Sequence, residues 1–313
     1  MLGVNRGNPV ALLGKAPCQG DFIRWNASDP VSQQFHRWLE EGHEAVRRGN
    51  VLLPAEPIHF LFTMAGGRQG LMGMMAPSSD KVGRIFPLAV YVPADLASLA
   101  GHTAPLLPGS HQAFFAAARQ LLADAATLSA DELNKRVEAL GAHAEGDSGD
   151  AEDYRRKAQL APASSLVKQF TSDGAAPGAQ YYAFRTFMTA CSAEKGKEPS
   201  KPGVTLDCPF SEETGPYPWV ELARRLLQWR STPPSLFWHY GPSPRLLLSL
   251  GPPASSALMH LAKLDHSSRN LWPLRTKQPN AIESAKQALS ASQRRAIEDD
   301  GVTTEALLSA FGG

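Results

Sequence analysis

Two short stretches concentrate the side chains able to do chemistry. Residues 12–26, "LLGKAPCQGDFIRWN", set Lys15, Cys18, Asp21 and Arg24 between apolar flanks, and residues 74–92, "MMAPSSDKVGRIFPLAVYV", set Asp80 and Arg84 in a similar frame. A phosphate cradle needs G-x-x-x-x-G-K-[ST], whose consecutive backbone N–H groups face the phosphates while the hydroxyl meets magnesium. Here Ala16 and Pro17 follow Gly14-Lys15, no glycine stands upstream at the required spacing, and the proline removes a donor. The stretch reads as a rigid exposed turn. Cys18 would be a nucleophile only with a base in reach, and spacing alone brings none of the nine histidines to it. His36, Glu40 and His43 fall at i, i+4 and i+7, which would let three ligands share a helix face. That face also carries Arg37, Glu41 and Arg47, so a solvated helix surface is expected and no metal site is assigned.

Lys15, Asp21, Arg24, Asp80 and Arg84 remain as a set, since both of their segments are turns between strand-like runs. If the turns meet at one sheet edge, these charges would either pair and fix the loops or present a polar recognition patch. A hydrolase or phosphatase would use the Asp21/Asp80 carboxylates, split in pKa by burial, or Cys18 in a cleft.

The elements that must position them follow from patterning. "NPVALLGK" reads as a buried strand ending at Gly14 and "GDFIRW" as a second. A helix opens at Ser28 or Asp29 with Pro30 in its first turn, buries Phe35, Trp38, Leu39, Ala45 and Val46, and stops at Gly49-Asn50. "IHFLFTM", "GLMGMMA" and "RIFPLAVYV" are separated by short turns, which predicts an antiparallel meander. Two helices follow, the second opened by a Ser129/Glu132 capping box. The acidic, glycine-rich residues 141–153 and the charged residues 194–203 read as exposed loops or inserts, with "AQYYAFRTFMTAC" between them as a strand. "YPWVELARRLLQWR" is an amphipathic helix; "SLFWHY" and "RLLLSL" form a hairpin, and a short helix runs from Pro253 to Lys263. Asn280 with Glu283 caps a helix through Ile282, Ala285, Leu289 and Ala296, and a last one holds Leu307, Leu308 and Phe311. The fold class is therefore α/β with a largely antiparallel sheet. Its expected domains are 1–140, 141–265 and a helical extension over 266–313.

The totals narrow the function classes. In 313 residues, 31 Lys plus Arg against 30 Asp plus Glu leave a net charge of +1, so no field recruits nucleic acid. Three scattered cysteines, Cys18, Cys191 and Cys208, without a C-x-x-C pair fit a reducing, cytoplasmic setting, and no apolar run approaches the roughly 20 residues of a membrane span.

The two stretches together resemble the paired signature of the TagF/ImpM family, accessory proteins of the bacterial type VI secretion system. The first motif is approximately G-K-L-P-x-x-G-D-F, matched by Gly14, Lys15, Pro17, Gly20, Asp21 and Phe22, with Ala16 in place of leucine. The second is approximately M-x-P-S-x-D-x-x-G-R-x-[FY]-P-L, matched by Met75, Pro77, Ser78, Asp80, Gly83, Arg84, Phe86, Pro87 and Leu88. The resemblance spans about residues 8–140 and 217–264; the acidic stretch, the loop near residue 200 and the tail lie outside it. It implies a longin-like, five-stranded antiparallel sheet flanked by helices, to which additional strands and helices and the C-terminal helical extension are added, and a non-enzymatic cytoplasmic repressor that acts after translation by binding a forkhead-associated (FHA) scaffold. No catalytic residue, metal or cofactor is expected. A third reading, ranked behind the regulator and the hydrolase, is a longin-like module that binds a small GTPase or its relative.

Overall fold

A computed structural model describes residues 9–171, 176–197, 201–263 and 268–312. Among the described residues, nine short strands make one sheet: β1 (Ala11–Gly14), β2 (Ile23–Trp25), β3 (Ile58–Phe62), β4 (Gln69–Ala76), β5 (Leu88–Asp95), β6 (Thr205–Pro209), β7 (Ser235–His239), β8 (Arg245–Ser249) and β9 (Leu271–Pro273). Their order is β2-β1-β5-β4-β3-β7-β8-β6-β9, with every neighbouring pair antiparallel except β6 and β9. The expected five-stranded sheet is thus too small. β3 does not end the sheet, because β7 pairs with it at His59–Trp238, Phe60–Phe237 and Leu61–Leu236, and the sheet continues through β8, β6 and β9.

Period-two alternation sends successive side chains to opposite faces. Ala11, Leu13, Ile58, Phe60, Phe62, Met75, Tyr91, Phe237 and Leu247 meet the helices Pro30–Arg48 and Ala257–Ala262 on one side. Leu12, Leu61, Met72, Met74, Val90, Trp238, Leu246 and Leu248 face the larger helical layer on the other. The Pro30–Arg48 helix starts where the sequence places it: Asp29 Oδ1 accepts from the Val31 and Ser32 N–H groups at 3.0 Å each, and Pro30 occupies a first-turn position that needs no donor. The Ser129/Glu132 capping box forms on the Ala130–Ala139 helix as expected.

Three expectations fail, wholly or in part, for identifiable reasons. "AQYYAFRTFMTAC" is not a strand but most of the Ala179–Ala193 helix, which buries Ala183, Phe184, Phe187, Ala190 and Cys191 at spacings of three and four. The acidic residues 141–153 are mostly exposed, as expected, but are not a loop throughout: from Ser148 they enter the Ser148–Leu160 helix, capped by Asp147, with Ala151 and Ala158 buried and Tyr154 packed against Gly109. The long tail helix is two, Pro279–Ala288 and Ala291–Glu298, because Ser290 and Gln293 form a capping box that starts the second. Of the stretch 194–203, residues 198–200 lie outside the described residues, and the boundary expected at 265/266 also falls outside them.

The tail is tied into the same core. Phe311 of the Thr304–Gly312 helix stacks on Phe184 at 4.8 Å, and the Arg225 guanidinium joins Glu221 and Glu305, both at 2.7 Å.

Candidate functional site

Both motif turns emerge at the same end of the sheet, the first after β1 and the second between β4 and β5. Gly14 closes β1 with φ +130°, and a Cβ there would lie 2.0 Å from the Pro87 carbonyl oxygen, so only glycine lets the two turns begin side by side. Pro17 occupies the second position of a turn closed by the Gln19 N–H donating to the Ala16 carbonyl at 3.0 Å. Ala16, where the family has leucine, is fully buried.

The second turn is a small hairpin. The Gly83 N–H donates to the Asp80 carbonyl at 2.9 Å, Gly83 sits at φ +84°, Ser79 bridges Ile85, and the Phe86 N–H donates to the Ser78 carbonyl at 3.0 Å. Asp80 organises it. Its Oδ1 accepts from the Val82 N–H at 3.1 Å and the Arg84 N–H at 2.9 Å; its Oδ2 accepts from Lys15 Nζ at 3.0 Å and Arg84 Nε at 2.6 Å. The Lys15 and Asp80 side chains are 8% and 0% exposed, so this pair is a buried one. Burial alone would raise the Asp80 carboxyl, but the Arg84 N–H, the Lys15 ammonium, the Arg84 guanidinium and the Val82 N–H together hold it well below the usual carboxylate range.

Two further bonds join the turns: the Lys81 N–H to the Gln19 carbonyl at 2.8 Å and Arg84 Nη2 to the Gly20 carbonyl at 2.6 Å. Phe22 meets the Phe86 ring edge-on at 4.9 Å, with Lys15 Nζ 5.2 Å from its centroid, and so anchors the first turn on the second. Pro87 is buried at the root, while Pro77 is exposed and Ser78 half-buried. The lock therefore gathers Gly14, Lys15, Pro17, Gly20 through its carbonyl, Phe22, Ser78, Asp80, Gly83, Arg84 and Pro87.

Asp21 and Arg24 stand outside it. Asp21 is exposed and its Oδ1 accepts from the Phe22 N–H at 2.8 Å, whereas Arg24 lies 6.0 Å from the Phe22 ring. Gly20 has open space around it and no positive φ. Beyond the lock, residues 81–85 form an exposed tip on which Val82 is 70% and Ile85 60% exposed.

The other candidates separate. Burial pushes the Cys18 thiol up, away from a reactive thiolate. His36 pairs with Glu40 at 3.4 Å while His43 packs on the Phe86 ring at 5.1 Å, and burial lowers both imidazoles. Among the described residues no three His, Cys, Asp or Glu side chains are grouped to hold a metal, and no helix is long and apolar enough to cross a membrane.

A cavity that the sequence did not flag lies on the other face of the sheet, between β3, β7 and the Gln112–Asp124 helix. It measures about 250 Å³ and is lined by His59, Phe115, Arg119, Tyr154, Trp238 and Tyr240, among others. The available signal was His59 itself, a titratable ring inside the apolar run "IHFLF".

What the fold and the lock define is a mixed α/β protein whose paired turns are fixed by one buried carboxylate. Residues 11–140, which hold both turns, match the TagF N-terminal domain, described as type VI secretion system-associated. That match spans less than half of the chain. Among solved structures, the chain is similar to PA0076 from Pseudomonas aeruginosa PAO1 at 18% identity and a TM-score of 0.42, over 84% of this chain and 98% of that one. No curated protein matches it.

Proposed function

We propose that this chain is a non-enzymatic regulator that holds a type VI secretion apparatus inactive by binding its FHA-domain scaffold in the cytoplasm. The observation that carries the proposal is the exposed Val82/Ile85 tip on a turn held rigid by the buried Asp80 lock. Apolar side chains on a preorganised backbone lose little freedom on docking, so their burial is available to affinity. The lock is the structural half of the motif and the tip is the recognition half.

The hydrolase alternative loses its residues. All four donors around Asp80 occupy its two oxygens, Asp21 is turned to its own backbone neighbour, and Cys18 is held in its thiol form.

The test uses the full chain and the FHA-domain protein encoded with it. Val82→Asp together with Ile85→Asp should weaken capture about tenfold or more, since two buried apolar contacts are lost, and should release secretion in cells while circular dichroism stays native. Capture and secretion unchanged by the double variant would overturn the assignment of the tip. No capture of the scaffold by the unmodified chain would overturn the partner.

A further inference from the structure

We infer that the cavity between β3, β7 and the Gln112–Asp124 helix is an anchor pocket for one aromatic side chain of a protein partner, flanked in that partner by an acidic residue. The inference rests on the chain acting by binding protein, and it uses a face of the sheet separate from the turn lock.

Shape comes first. His59 stacks on Trp238 at 5.1 Å and 14°, Phe115 meets both edge-on at 5.0 and 5.8 Å, and Tyr240 stands edge-on to His59 at 5.6 Å. These rings brace one another, so the walls are formed before anything enters. At about 250 Å³ the space falls below the roughly 300–1,000 Å³ typical of cofactor and small-molecule sites. It suits a single inserted ring, the usual energetic centre of a protein interface. The His59 ring bonds the Trp238 backbone, while its Nδ1, at the buried floor, has no hydrogen-bond partner and leaves a polar atom unused by the fold.

Charge selects the neighbour. An aromatic cage is ordinarily suited to a cation, but Arg119 stands at this rim and burial keeps the His59 imidazole neutral, its pKa pushed down to about 3. The lining thus carries one permanent charge, and it is positive. Arg119 and Glu56 are 44% and 46% exposed and 3.8 Å apart, a long, solvated pair that an incoming carboxylate can exchange.

The experiment titrates the full chain with three labelled peptides by fluorescence anisotropy: phenylalanine between acidic residues, phenylalanine between lysines, and alanine between acidic residues. The acidic phenylalanine peptide should saturate and bind about tenfold or more tighter than the other two. Arg119→Gln should narrow its advantage over the lysine peptide, and Ala116→Trp, at an exposed rim position, should plug the pocket and abolish its binding while the melting temperature holds. No saturation by about 5 mM, equal binding of all three peptides, or binding indifferent to Ala116→Trp overturns the inference. Phenylacetate binding as tightly as the peptide would make this a small-acid site and overturn the peptide assignment. None of these measurements involves the FHA scaffold, so their failure is distinguishable from failure at the Val82/Ile85 tip.

Discussion

Acidifying the protein from about pH 7.5 to 5 tests whether His59 is held neutral. The ring is 5% exposed, packed between Phe115, Trp238 and Tyr240, and its pKa is lowered from 6.5 to about 3, first by burial and then by the Arg119 charge. A histidine whose folded pKa is depressed contributes nothing to pH dependence above its unfolded value. Below it the unfolded chain takes up a proton that the folded chain refuses, so stability falls from about pH 6.5 down to about pH 3. At pH 5 the unfolded state is favoured by RT ln(1 + 10^1.5), about 2 kcal/mol, a figure that hardly changes for any folded pKa below about 4. His59→Phe keeps a ring of similar shape against Trp238 and removes the titration. Urea unfolding followed by tryptophan fluorescence, at both pH values, gives the loss for each protein. His36, His43 and His239 are also lowered by burial and contribute equally to both, so the difference between the losses isolates His59. The native chain should lose about 2 kcal/mol more than His59→Phe. Equal losses would refute the claim that the pocket floor is neutral, and with it the charge argument for an acidic partner.

Four further outcomes are expected. Gly14→Ala should cost at least about 1–3 kcal/mol in chemical unfolding from its backbone conformation alone, because φ is +130° and Pro87 blocks the new Cβ. Gly20→Ala, with open space around it, should stay within about 0.5 kcal/mol. Asp80, held below its ordinary value of 3.8, contributes stability above that range and loses it as pH falls; the native chain should therefore lose more than Asp80→Asn between pH 5 and 3, and parallel losses would contradict the lock. Asp207→Asn should destabilise by about 3–5 kcal/mol, since Arg245, 5% exposed and bonded through Nε to Asp207 at 3.1 Å, would be left as an uncompensated buried charge.

The local half of this structure was legible in the sequence. Asp29-Pro30 announces its helix, Ser129 and Glu132 announce theirs, and the short turns between β3, β4 and β5 leave no room for a crossover. The motif turns were legible as turns from Gly14, Pro17 and Gly83, but not which charges would pair. Asp21 and Asp80 carry the same charge in similar frames, and only the path of the chain buries one and exposes the other. The Ala179–Ala193 helix was hidden by its own residues: Tyr, Phe and Thr favour strands, and the spacing of Ala183, Phe187 and Ala190 that decides otherwise is partly carried by alanines with little apolar weight. The Ser148–Leu160 helix was hidden likewise, burying alanines beneath a charged exterior. The continuation of the sheet past β3 was beyond local pattern altogether, because β3 and β7 meet across contacts 172 residues apart in the chain, as between Thr63 and Ser235.

That junction bears on how the protein can be divided. Every residue of β3 is buried, and its outer edge is filled by β7, which comes from beyond residue 140. Trp38 depends on the same distant region, stacking on Phe237 at 4.9 Å and donating from Nε1 to the Ala254 carbonyl at 3.0 Å. A fragment cut at residue 140 would keep both motif turns and lose the strand that closes the sheet, leaving a row of unpaired backbone groups flanked by Phe60 and Leu61. Such a fragment is expected to self-associate through that edge. The segment that carries the family signature is thus shorter than the sheet it helps to build.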